Sequence, residues 1–143
     1  MYSIKQFAEM FNVSEHTVRY YTDIGLLPCR RDNVGRRVFD AESENWMQGI
    51  CCLKGCGASL DDIKEYCRLC RLPSTSENLQ ARYGIILRQR EQAYKRLDEA
   101  RAVVDYMEHK VEHYKQVLSG ALPDDTNPAG WTEGNRPDKH EKK

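Results

Sequence analysis

Cys51, Cys52 and Cys56 fall within six residues of one another, and Cys67 and Cys70 follow three apart. Thiols at this density support three kinds of chemistry: nucleophilic addition by a thiolate, zinc coordination, or thiol–disulfide exchange. Cys52 precedes Leu53 and Lys54, and an ammonium close to a thiol enriches its nucleophilic form. Cys52, Cys56, Cys67 and Cys70 could instead hold Zn²⁺ or another soft metal, although each pair falls on a predicted helix or helix end. Cys67-Arg68-Leu69-Cys70 has redox-pair spacing but lacks the βαβ surroundings such chemistry uses. Plain burial on helical inner faces is the first reading for Cys51, Cys67 and Cys70 and an alternative for Cys52, and Cys29 reads as incidental. His109 and His113 share a helix face; with Glu112 between them and Val111 and Tyr114 beside them, they read as a solvated flank. The expectation is no metal, no cofactor and no catalytic constellation.

Arginine supplies the other chemistry. The stretch Arg30–Arg37 holds four arginines and one aspartate, a local charge of +3. The whole chain balances 22 Lys+Arg against 22 Asp+Glu, which argues against a nucleic-acid partner only until charge is read by segment. Beside a DNA-reading helix, such a stretch would bind phosphate.

The 143 residues, 40% hydrophobic and 31% charged, fit one domain with an appendage. No apolar run approaches the ~20 residues of a membrane span. Met1-Tyr2-Ser3-Ile4-Lys5 lacks the layout of a signal peptide, so a cytoplasmic protein with reduced thiols is expected.

The positioning elements are mostly helical. Ser3 is a plausible N-cap for a helix carrying Ile4, Phe7, Ala8 and Phe11 at helical spacing. Ser14 caps a second, Glu15 to Ile24, which Gly25 stops. The pair reads as a helix-turn-helix or as another small helical hairpin. Pro28 to Phe39 reads as a small hairpin or wing, with turn residues Asp32, Asn33 and Gly35. Asp40 caps a third helix to about Lys54, carrying Trp46, Ile50 and Leu53 on one face. Ser59, with Asp62 three residues later, opens a fourth in capping-box fashion, lined by Leu60, Ile63 and Cys67. Pro73 stops it.

From about Ser76 a long helix carries Leu79, Ile86, Ala93, Ala100, Met107 and Tyr114 every seven residues. Tyr83, Arg90, Leu97, Val104, Val111 and Leu118 repeat at an offset of four. This 3-4 alternation is a coiled-coil seam, broken only by Arg90. A helix on the order of 60 Å cannot be buried by one small domain, so a homodimer is expected. Gly84 marks a weak point, roughly 1 kcal/mol poorer than Ala. After Gly120 the chain is polar and broken, and residues 120–143 read as a disordered tail with Trp131 as its hydrophobic anchor.

Ser14-Glu15-His16-Thr17-Val18-Arg19-Tyr20-Tyr21, followed by Gly25-Leu26-Leu27-Pro28, resembles the signature of the MerR family of transcriptional regulators. The likeness extends through the wing, the following helix pair and the long helix to about residue 118. It implies a mainly α chain: a winged helix-turn-helix DNA-binding domain with its helix pair (1–73) and a dimerisation helix (74–119) forming an antiparallel coiled coil. It implies a regulator, not an enzyme, that bends and untwists a long-spacer promoter for RNA polymerase. By position, Arg19 and Tyr20 match DNA-contacting residues, His16 and Thr17 are candidates for base reading, and Arg36 and Arg37 match wing contacts to phosphate. Lys54 is a further phosphate candidate. Phe39 stands where many members carry Tyr, while Val18, Tyr21 and Leu26 read as core. The long helix begins and ends without the cysteines that metal-sensing members carry there. Cys52-Leu53-Lys54 resembles the branch that responds to aldehydes and nitrosative stress, which makes Cys52 the candidate sensor thiol.

Overall fold

Ser3 closes one element and opens the next. In the computed structural model, which describes residues 1–137, Tyr2–Ser3 is a short strand (β1) and Ile4–Met10 the first helix (α1). The Ser3 hydroxyl accepts from the Gln6 N–H while the Gln6 side chain accepts from the Ser3 N–H, a reciprocal cap. Asn12 turns the chain through φ 51° into Ser14, the cap of Glu15–Asp23 (α2). Gly25, at φ 74°, ends α2 where a side chain would be strained. The Leu26 and Leu27 N–H groups then both donate to the Tyr21 carbonyl.

Arg30–Arg31 (β2) and Arg37–Phe39 (β3) form the wing, but the sheet has three strands in the order β1-β3-β2, all antiparallel. Tyr2 pairs with Phe39 and Ser3 with Val38. A two-residue strand has no periodicity to betray it, so β1 is invisible in the sequence. Phe39 is fully buried and stacks on Phe7 with ring centroids 4.3 Å apart, so it is a core residue and not a phosphate contact.

Ala41–Gly55 (α3) starts at Asp40, whose carboxylate accepts from the Ser43 N–H. Leu60–Cys70 (α4) starts at Ser59, whose hydroxyl accepts from the Asp62 N–H. The expected return bond from the Asp62 side chain is replaced by a tertiary one. Asp62 accepts from Arg88 at 3.1 Å and from Gln89 at 2.9 Å, both on Ser76–Leu118 (α5). Phe7, Val18, Tyr21, Leu26, Met47, Ile50, Ile63 and Cys67 belong to one core cluster.

The chain divides into two compact units, Met1–Glu91 and the residues from Gln92 onward. Helix α5 runs unbroken through Gly84. Its side chains Ile85 and Gln89 are buried, whereas the seam residues Leu79, Tyr83, Ile86, Leu97, Val104, Met107, Val111 and Tyr114 are all exposed. In the second unit, residues 120–137 are not structureless. Pro128–Gly130 forms a 3₁₀ turn, and Trp131 Nε1 donates to the Asp125 carbonyl at 2.7 Å. The remainder of the expected disordered tail, 138–143, lies outside the described residues.

Candidate nucleic-acid interface and thiol cluster

Helix α2 is two-faced. Val18 and Tyr21 enter the core, which turns His16, Arg19 and Tyr20 to the surface. Thr17 is half-buried and partly engaged: its N–H donates to the Ser14 hydroxyl and its own hydroxyl lies 2.9 Å from that oxygen. Arg19 meets Glu15 at 3.3 Å, an exposed i, i+4 pair of the kind that contributes little in water and yields readily to a phosphate.

The wing is shaped by Asp32. Its carboxylate accepts from the backbone N–H groups of Arg36 and Val34, and these bonds, that of Arg36 foremost, hold the carboxyl below the ordinary aspartate range. Gly35 turns the hairpin at φ 82°, and Arg31 Nη1 donates to its carbonyl at 2.8 Å. Arg36 is left with 80% of its side chain exposed and meets Asp32 at 3.4 Å. Arg30 is exposed too but pairs with Asp40 at 2.9 Å.

Arg37 stands apart. Its guanidinium pairs with Asp23 at 2.5 Å and is only 22% exposed, so it clamps the wing to the end of α2. Paired and sheltered in this way, it is less accessible than Arg36. Lys54, exposed on the last turn of α3, has its ammonium 5.9 Å from the centre of the Tyr21 ring, which places it beside α2. Arg71 escaped the sequence reading altogether. It stacks 4.4 Å over Trp46 and donates to the Leu26 carbonyl at 2.7 Å, tying the end of α4 to α3 and to the entry of the wing.

The cysteines do not converge. Cys52 and Cys56 are exposed, Cys51 and Cys70 are half-buried, and Cys67 lies in the core. Among the described residues no group of three or more His, Cys, Asp or Glu is placed to hold a metal. Of the four thiols of the zinc alternative, Cys52 and Cys56, at the end of α3, face solvent while Cys67 of α4 faces inward, so they are not brought together. The redox alternative has no βαβ context either: Cys67 and Cys70 sit on one helix, and the strands among the described residues form one small antiparallel sheet. Burial pushes the Cys51 thiol up, with the Lys54 charge opposing it, and burial likewise pushes up Cys67 against the charge of Arg71. Cys52 has a different neighbour, since Gln48 Nε2 donates to its sulfur at 3.6 Å.

His109 and His113 do not share a ligand. His109 Nδ1 lies 2.7 Å from the Asp105 carbonyl, whereas His113 meets the Asp125 carboxylate at 2.5 Å. The His113 bond holds the Asp125 carboxyl below its ordinary range.

A sequence model of the MerR HTH family of regulatory proteins matches residues 2–70. The HTH-type transcriptional regulator YyaN of Bacillus subtilis is 32% identical over 129 residues, which cover 82% of this chain and 94% of that protein. A crystal structure assigned to the MerR transcriptional regulators, from Listeria monocytogenes, superposes with a TM-score of 0.71 at 30% identity, covering 85% of this chain and 91% of the other. HiNmlR, a MerR family regulator lacking the sensor domain and solved bound to promoter DNA, has a TM-score of 0.69 at 28% identity, covering 84% and 90%.

Proposed function

The chain belongs to the MerR family of DNA-binding transcriptional regulators, and on that premise we propose that it works as a homodimer that distorts a long-spacer promoter when Cys52 is modified. The observation that carries the DNA-binding half is the face shared by α2 and the wing. His16, Arg19 and Tyr20 are presented on a helix locked into the core by Val18 and Tyr21, and Asp23–Arg37 holds the wing against that helix. His16 and Thr17 read base edges; Arg19, Tyr20, Arg36 and Lys54 hold phosphate. A promoter-bound relative of similar fold supports the same docking.

The dimer rests on the open seam of α5, whose apolar residues find no cover among the described residues of their own chain. An antiparallel coiled coil with a second copy buries them. Two anchored DNA-binding units can bend and untwist the promoter so that RNA polymerase engages both of its elements, a cytoplasmic task.

Control through Cys52 rests on exposure and on the amide donor from Gln48, with an aldehyde or nitrosating agent as the reagent. The adduct lies on the last turns of α3, near the Lys54–Tyr21 contact with α2.

The test of the interface is Arg19→Ala, with binding measured on duplexes selected from a random pool. Affinity should fall for all sequences and the salt slope by about one unit; an unchanged affinity and slope remove Arg19 from the interface. The sensor is tested separately by promoter transcription with Cys52→Ser, where a full response to aldehyde ends the Cys52 mechanism and leaves the regulator intact.

A further inference from the structure

Away from Cys52, a groove of about 240 Å³ opens between α3 and α4, walled by Trp46, Gly49 and Ile50 on one side and by Tyr66, Cys67 and Cys70 on the other. It is smaller than a drug-sized pocket and holds about eight water-sized groups. The walls are mainly apolar and aromatic, with the Asn45 amide and the two thiols as their polar groups. Cys67 is a core residue whose thiol burial pushes up, so it is the inert member. Cys70 is half-buried, and Arg82 Nη1 of α5 donates to its sulfur at 3.8 Å.

Arg82 is unusually placed. Its Nε is buried with no hydrogen-bond partner among the described residues, although an unmet buried donor costs about 1–3 kcal/mol. Plain packing does not call for a guanidinium there. Such a group does suit a sulfur that carries charge, because charge-assisted donors are the strong ones and the thiolate is the reactive form of cysteine. An aromatic-walled groove, a thiol in its wall and a cation on that thiol together describe a covalent binding site.

We propose that Cys70 is a second modification site, taking small apolar α,β-unsaturated aldehydes or ketones whose carbon frame lies against Trp46 and Tyr66. The thiol proton passes to water and the sulfur bonds to the β-carbon of the electrophile. The C=C electron pair moves onto the carbonyl as an enolate, whose α-carbon then takes a proton from water. Nothing is oxidised or reduced. A thioether is a weak acceptor, so Arg82 gives up its hold and α4 loses one of its fastenings to α5, leaving Asp62 with Arg88 and Gln89. The site stands independently of Cys52.

The experiment treats the intact protein with 2-cyclohexen-1-one or with iodoacetamide and follows each cysteine by peptide-mapping mass spectrometry. Cys70 should react with the enone about tenfold faster than Cys67. Arg82→Met should slow both reagents at Cys70 by a similar factor, and Arg82→Lys should restore most of the rate. Gly49→Leu, at a position where an added Cβ meets nothing within 4 Å, should block the groove and slow the enone but not iodoacetamide. Circular dichroism melts identify any variant that has lost the fold. Cys70 left unlabelled while Cys52 and Cys56 react to completion overturns the proposal. Equal Cys70 rates in wild type and a folded Arg82→Met, or no effect of Gly49→Leu on the enone, overturn it as well.

Discussion

The first unit and the exposed seam of α5 use the same kinds of side chain to opposite ends. In the first unit, Phe7, Phe39, Met47 and Ile50 have no accessible surface, and four helices and a three-stranded sheet close around them. Along α5, Val104, Met107 and Val111 each keep more than half of their surface in water. One region buries its apolar residues within its own fold, while the other holds them ready for another surface. The difference lies in connectivity. Short elements joined by tight turns can fold back on one another, whereas an unbroken helix cannot meet its own stripe.

The largest effect that would break this contrast lies in the core. Phe39→Ala removes the ring stacked on Phe7 and should cost about 3–5 kcal/mol in urea or thermal unfolding of the first unit. A loss below about 1 kcal/mol, the size of a surface change, would mean that the core is not self-sufficient.

On α5 the comparison is sharpened by Val104→Asp, which places a carboxylate on the open stripe. Sedimentation equilibrium should show self-association weakened about a hundredfold, on the order of 3 kcal/mol, with the first unit's melt little changed. Unchanged association would mean that the stripe faces something other than a second copy.

The smallest effect is a titration. The Asp40 carboxyl is held below the ordinary aspartate range by the Ser43 backbone N–H, with the Arg30 charge adding to it. A depressed folded value gives stability that is present above the unfolded value and lost as pH falls through the folded one. Asp40→Asn should therefore flatten the acid limb of the first unit's stability curve and leave association through α5 unaltered. An acid limb as steep as in wild type would assign that pH dependence to other carboxylates.

Much of this was legible because it is local. Ser3, Ser14, Asp40 and Ser59 cap helices three residues or fewer from the groups they satisfy, Gly25 ends α2 through its own φ, and the seven-residue repeat of α5 is a property of one continuous element. What the sequence hid is non-local. Nothing near Arg37 announces Asp23, 14 residues earlier, and nothing near Asp62 announces Arg88 and Gln89. Nor does composition reveal that Trp131 donates to the Asp125 carbonyl in a stretch that reads as structureless.

The sequence by itself determined the helices, their ends, the placement of charge in the wing and the open seam, since each depends on backbone geometry and spacing within a few residues. Only the tertiary structure decided which wing arginine stands open to water and which is paired and sheltered, and which thiols face water and which the core. Those outcomes depend on partners far along the chain, and a charged side chain's role is set by the group it meets once the chain has folded.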